Sequence, residues 1–519
     1  MKKILMAVFA VLMLAAWVAP SMADTTFYGT YRVRLFNIAN DRDFSDDRVG
    51  KTYTGTGTNT QNEADGAAED NDNNAWIDQR FRLGVESKAS DNLRGFVQLE
   101  IGDNDLNRSD IWGTGGDAAN GVSNLSVSAR QAYLSFTAGP VRIKAGRQVF
   151  GDAPDGGQSF RVSDDGGYYG LWDGGLVLVS VVDGVVFTTK AVDPLTLNFG
   201  YVKFAEGSTT GSGERIVGNT NANKDHDIYL LQATAAPMDT VKGGAYFVYS
   251  RDASTTPATA IRDNQWWLGA GVEAKLDPIN LKVHAAYKGG KFEKGCDPAG
   301  TTYTTTVDTC VGVTTAEDVK YAAYAIDADA SINIDQLTVG ASVGMGSGDD
   351  DATDKEDKSF NDIVGAYGVQ LGQRPAIFFD NGEVSNGGAS LLTTYAQGGA
   401  NTIGGGTLDN ITFAQLYASF KATDELSVSG LVAGFWYTEN KDISSTTNTN
   451  EWESAIGTEV DLVAVYKLYK ELALTAQAAW FLPGEGIRTY KSTAGNHAAT
   501  SIATDDMVSE YFAKVQYDF

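Results

Sequence analysis

Arg80-Phe81-Arg82-Leu83-Gly84-Val85-Glu86-Ser87-Lys88, a turn at Ser90-Asp91, and Leu93-Arg94-Gly95-Phe96-Val97-Gln98-Leu99-Glu100-Ile101 decide the fold. Side chains of a strand point alternately to its two faces. On that rule Phe81, Leu83 and Val85 share one face and Arg80, Arg82, Glu86 and Lys88 the other. Beyond the turn Leu93, Val97, Leu99 and Ile101 continue the apolar face, and Arg94, Gln98 and Glu100 the polar one. In a β-barrel that crosses a membrane such alternation places apolar residues against lipid and charged ones in a wet lumen.

Outward from this hairpin the same unit recurs: an alternating segment of about ten residues, a tight turn, another segment, then a long polar connection. Eighteen such strands are expected, at 26–37, 76–88, 92–103, 128–138, 141–150, 184–192, 195–206, 226–236, 241–250, 265–276, 280–291, 319–331, 335–346, 411–422, 426–438, 456–468, 471–482 and 509–519. Short turns fall at Ser90-Asp91, Gly139-Pro140, Asp193-Pro194, 237–239, Asp277-Pro278, 333–335, Thr423-Asp424 and Lys470. Long polar connections alternate with them, at 38–75, 104–127, 151–183, 207–225, 251–264, 292–318, 347–410, 439–455 and 483–508. This asymmetry predicts an all-β, up-and-down antiparallel transmembrane barrel of 18 strands, with short periplasmic turns and long extracellular loops.

The ends agree. Lys2 and Lys3, the apolar run Ile4 to Val18 and the small-x-small Ser21-Met22-Ala23 read as a cleavable signal peptide over 1–23, leaving one barrel domain over 24–519. No later uncharged apolar run reaches the roughly 18 residues that a membrane helix needs. The last strand puts Tyr511, Ala513, Val515, Tyr517 and Phe519 on one face and Lys514, Gln516 and Asp518 on the other. A terminal Phe519 on such a strand is read as the signal for barrel-insertion machinery, which places the protein in the outer membrane of a Gram-negative bacterium among lipid and lipopolysaccharide. Aromatics near strand ends, Phe27, Trp266, Trp267, Trp436, Tyr437, Trp480 and Phe481, are expected to form interfacial girdles.

The formal charge of -26 makes nucleic acid a poor partner. The acid gathers in connections such as Asp65 to Asp72 and Asp349 to Asp357, where Lys355 is the only base. The stretch at Asp70-Asn71-Asp72 fails as a calcium-hand loop, with Ala75 where Gly belongs and Phe81 at the closing Glu position. Cys296 and Cys310 are read as a disulfide stapling their connection, since two thiols without nearby histidine are too few for zinc. No metal site and no cofactor is expected.

Inside, parity gathers Arg32, Arg34, Arg80, Arg82, Arg94, Arg142 and Lys144 on neighbouring strands, a ladder that would draw anions into a polar pore. Arg147 breaks the parity and calls for a bulge at Gly146 or a rim position. Later strands turn acids inward, Glu273, Asp327, Asp329, Glu459 and Asp461, with Lys275, Lys282, Lys288 and Lys467. The apolar Leu176-Val177-Leu178-Val179 sits where an outer loop is required; either it folds into the lumen or its strand begins earlier.

Two stretches resemble the alginate-export family of outer-membrane porins. The first is Arg130-Gln131-Ala132-Tyr133-Leu134 leading to Lys144-Ala145-Gly146-Arg147-Gln148 and Trp172-Asp173-Gly174; the second is Gly457-Thr458-Glu459-Val460-Asp461-Leu462, Tyr466 and Trp480-Phe481-Leu482-Pro483-Gly484. The resemblance implies eighteen strands and a basic lumen conducting sugar carboxylates, and it carries the family arginines to Arg130 and Arg147. The acidity of the loops and later strands departs from it and argues against alginate as cargo.

The function these readings predict is a passive, water-filled diffusion channel for small hydrophilic solutes, with a leaning to anions and with oligomeric state left open. The alternative is a barrel scaffold: a sleeve for an electron-carrying partner, or an adhesin. Chemistry of its own is not expected, because His226, His284 and His497 are the only histidines and none stands beside a recognisable nucleophile. A gated transporter would need a plug domain ahead of the first strand, which is expected almost at the cleavage site.

Overall fold

β-branched and aromatic residues at every second position favour extended chain, and Gly, Asp and Pro punctuate it. The computed structural model describes residues 24–39, 74–101, 127–151, 176–192, 194–205, 225–253, 260–294, 318–349, 355–361, 363, 375–379, 408–439, 454–485 and 507–519. Along these the strands are β1 (Asp24–Ala39), β2 (Asn74–Ser90), β3 (Leu93–Ile101), β4 (Val127–Ala138), β5 (Val141–Gly151), β6 (Val179–Val192), β7 (Leu195–Ala205), β8 (His226–Met238), β9 (Val241–Asp252) and β10 (Ala260–Leu276). They continue as β11 (Ile279–Lys294), β12 (Val319–Ile334), β13 (Leu337–Gly346), β14 (Glu356–Asp357), β15 (Ile411–Lys421), β16 (Leu426–Tyr437), β17 (Ala455–Tyr469), β18 (Leu472–Pro483) and β19 (Val508–Asp518).

Each long strand pairs antiparallel with its neighbours, and β1 pairs with both β2 and β19, so the sheet closes on itself. β14 has two residues and runs parallel beside β12, while β13 pairs directly with β15; the wall therefore has the eighteen antiparallel strands expected. Closure leaves no unpaired strand edge, which lets a sheet sit in hydrocarbon. At the seam the amide of Gly29 donates to the Phe519 carbonyl at 2.9 Å and that of Phe519 to the Gly29 carbonyl at 3.0 Å. Three turns lie later than expected because the strand before each runs on: β2 ends at Ser90, β8 at Met238 and β12 at Ile334, so the turns are Asp91-Asn92, Asp239-Thr240 and Asp335-Gln336, with Asp335 at a φ of 51°.

Burial alternates along most of each strand and runs opposite to a soluble protein. Leu416 is 62% exposed and Leu35, Val97, Leu231, Leu268 and Leu462 are likewise exposed, whereas Arg34 is 1% exposed and Arg32, Arg80, Arg82 and Glu459 are buried. Alternation also corrects the girdle reading. Trp267 and Phe481 are fully buried and point inward, because each follows or precedes a residue on the outer face; Phe27 and Trp436 are exposed.

The interior is partly filled by the chain itself. Leu176, Val177 and Leu178 are buried in the apolar cluster ahead of β6, which starts at Val179, five residues earlier than expected. The connection at 347–410, read as a polar outer loop, is corrected in part: Phe360 and residues 376–379 pack in one apolar cluster with inward side chains of β5–β12 and β15–β19. The apolar run Ala376-Ile377-Phe378-Phe379 has nowhere else to leave water. Among the described residues, none from β1–β4 belongs to this cluster. The signal segment 1–23, Cys296, Cys310, the Asp65 to Asp72 stretch and Trp172-Asp173-Gly174 lie outside the described residues.

Candidate functional site: the barrel interior

The arc formed by β19 and β1–β4 carries the densest charge. Among its described, buried side chains six are basic, Arg32, Arg34, Arg80, Arg82, Arg130 and Lys514, and three are acidic, Asp78, Glu100 and Glu510. Register explains the crowding: Arg32 faces Arg80 across the β1–β2 pair, and Arg34 faces Asp78. Arg34 donates to Asp78 through Nε at 2.7 Å and Nη2 at 2.7 Å, a bidentate fork. Arg82 is bonded through Nε to Glu100, and Arg130 Nε lies 3.6 Å from the same carboxylate while its Nη1 donates to Gln98 Oε1 at 3.0 Å. The ladder is thus a lattice of arginines interleaved with carboxylates, which holds the guanidinium planes in place and leaves an excess of positive charge. Asp78 and Glu510 were missed in the sequence reading, although Asp78 shares the parity of Arg80 and Arg82.

Arg130 reaches the interior through a bulge. Between β3 and β4 the register steps from Gln98 opposite Gln131 to Leu99 opposite Ala129, so Arg130 is an extra residue and both it and Gln131 are buried. Without that step Arg130 would share the outer face with Leu134. Arg147 shows the reverse. Register runs without a break through Gly146 and Arg147 on both sides, so there is no bulge, and Arg147 stands on the outer face forked onto Asp183 at 3.0 and 2.8 Å. Of the two expectations for Arg147, a bulge at Gly146 or a rim position, the bulge is corrected by this register.

Nearer the short turns, Arg94 Nη1 donates to Glu86 Oε1 at 3.2 Å, Arg142 Nε to Ser135 Oγ at 3.1 Å, and the Lys144 ammonium lies 4.2 Å from the centre of the Tyr133 ring. Across the barrel, β10–β12 supply a second polar group. Glu273 Oε1 is 3.4 Å from Lys275 Nζ, Tyr417 Oη donates to Asp329 at 3.0 Å, and Asp327 faces His284 in register. His284 Nε2 lies 2.9 Å from Tyr246 Oη, and the Tyr246 ring covers Gly269, where a Cβ would come within 2.1 Å of Tyr246 Cζ. Lys288 is fully buried 4.1 Å from the Tyr321 ring centre and bonded to Asn361. Lys282 is half-buried, and Lys467 is exposed beside the short turn that follows β17.

His226 Nε2 lies 2.8 Å from Ser250 Oγ, with Nδ1 3.7 Å from Asp252. That second distance exceeds a hydrogen bond and Ser250 is buried, so the three read as a cross-strand polar contact. No group of three metal-ligating side chains comes together among the described residues. Glu459 and Asp461 are buried on the inward face of β17 and bond the backbone of 376–378.

No protein-family model and no curated protein matches the chain. Solved structures similar to it include the outer membrane protein OpdK of Pseudomonas aeruginosa, at 10% identity and a TM-score of 0.48 over 96% of this chain and 98% of that one. OccAB2 of Acinetobacter baumannii shows 12% identity and a TM-score of 0.48 over 96% and 99%. A BenF-like porin of Pseudomonas fluorescens Pf-5 shows 13% identity and a TM-score of 0.47 over 96% and 98%. None of these three carries the alginate-export name.

Proposed function

We propose that the protein is an outer-membrane porin of a Gram-negative bacterium, exported by its cleaved 1–23 segment, forming a passive channel for small hydrophilic solutes with a preference for anions. One observation carries the reading: a closed wall of eighteen strands wears its apolar side chains outside and its charges inside. Such a surface belongs in lipid, and buried charge inside it belongs beside water or solute. Arg32, Arg34, Arg80, Arg82, Arg94, Arg142 and Lys144, with Arg130, would line the basic side of the passage. Fixed positive charge raises the local concentration of anions and lowers their barrier to entry. Kinship with alginate-export porins rests on the two motifs alone, and only Arg130 of its arginines has a place in this proposal.

A sleeve around a partner chain has less support, because 176–178 and 376–379 of the chain itself already occupy part of the interior. The test is single-channel recording of the purified barrel in a planar bilayer under a salt gradient. Open currents with an anion-favouring reversal potential are expected, and replacing Arg80 and Arg82 by Gln should move that potential toward cations. A cation-favouring wild type would refute the anion preference; absence of current would refute the channel.

A further inference from the structure

Glu459 and Asp461 lie two residues apart on β17 and so share its inward face. Their oxygens meet main chain. The amide of Ala376 donates to Asp461 Oδ2 at 2.9 Å, that of Ile377 to Glu459 Oε1 at 2.7 Å and that of Phe378 to Glu459 Oε2 at 2.9 Å. Successive amides of a tight turn converging on negative oxygen form an anion-binding nest, here filled by carboxylates of the wall. Beside it Phe378 stacks on Phe435 with ring centres 3.8 Å apart, and Phe379 meets Phe413 edge-on at 5.1 Å. The same connection is tied to the far side, where Lys288 bonds Asn361 and the amide of Ile363 donates to the Val177 carbonyl at 2.8 Å.

We propose that Glu459 and Asp461 are positioning residues which clasp 375–379 as an internal strap against the β15–β18 wall and so confine the passage to the arginine-bearing arc of β1–β4. The strap leaves the β1–β4 arc uncovered, since the apolar cluster it joins takes side chains from β5–β12 and β15–β19 but no described residue of β1–β4. The proposal rests on the channel reading, and it differs from the simpler role for two inward acids, that of attracting cations along the pore wall. A wall acid alters ion preference when neutralised. A clasp alters how much of the lumen is open.

The full-length barrel carrying Glu459→Gln with Asp461→Asn separates the two, its folding checked by heat-modifiable migration on a gel. The expected result is larger, noisier single-channel current with the reversal potential of the wild type. A shift of reversal potential toward anions at unchanged conductance would overturn the clasp. A second readout needs no current: Ala376→Cys, in a chain whose Cys296 and Cys310 are replaced by Ser, reacts with a water-soluble maleimide only when the strap leaves the wall. Removing the charge from the acceptors of these three hydrogen bonds should raise the labelling rate by roughly a hundredfold, and Asp461→Asn alone by about tenfold. Equal labelling with and without the clasp overturns the proposal. If the wild type conducts nothing the channel reading fails, while the labelling still decides whether the strap is held.

Discussion

Arg34 and Asp78 show what a single pair does in this wall. Both are buried, forked together across β1 and β2, and their desolvation is offset only because the geometry is good. Asp78→Asn should therefore cost about 3–5 kcal/mol of stability by leaving a buried guanidinium without its bidentate acceptor. Urea unfolding in lipid vesicles measures this, and a loss under about 1 kcal/mol, the scale of an exposed pair, would place the two in water instead. Arg34 was legible as an inward arginine from parity alone. Its partner was equally legible by parity, since Asp78 lies two residues before Arg80 on the same strand. The adjacent Trp266 and Trp267 carry a simpler lesson: neighbours on a strand cannot both face lipid.

At the scale of elements, the bulge in β4 and the unbroken register of β5 send two arginines of one motif to opposite faces. Arg130→Ala should weaken anion preference in the salt-gradient recording, whereas Arg147→Ala should leave it unchanged. Equal effects would mean that the outer face of β5 communicates with the passage. A bulge inserts one residue without a compositional mark, so parity counted through Arg130 points it the wrong way. The 347–410 connection hides its inward segment for a related reason. Its average character is polar, and the four apolar residues at 376–379 are diluted in it; the inward acids Glu459 and Asp461 were visible, but the amides they bind lie more than eighty residues away.

For the whole molecule, closure is decided at one seam. The β1–β19 pairing runs from Thr30 opposite Asp518 to Ala39 opposite Ser509, and Phe519 extends it with two hydrogen bonds to Gly29 and a stacked contact with Phe81 at 6.0 Å. Deleting Phe519 removes these together with the terminal aromatic read as the insertion signal. The fraction of protein reaching the heat-modifiable, folded form should fall, as read on an unheated gel after expression or refolding into vesicles. A normal yield in vesicles with a reduced yield in cells would assign Phe519 to recognition; a loss in both would assign it to the seam. Unchanged yields in both would give it neither role.

Strand number, strand boundaries to within about five residues and the faces of β2, β3 and β19 followed from the sequence by itself. The reason is physical: a strand in a barrel wall answers to a local rule of period two, with water on one side and lipid on the other. What occupies the interior was decided only by tertiary structure. The direction of Arg130, the outward station of Arg147, the acceptor for Arg34 and the clasp on 376–378 each depend on register between strands or on contacts across the lumen. Those are set by how the closed sheet brings distant residues to the same height, which no local pattern encodes.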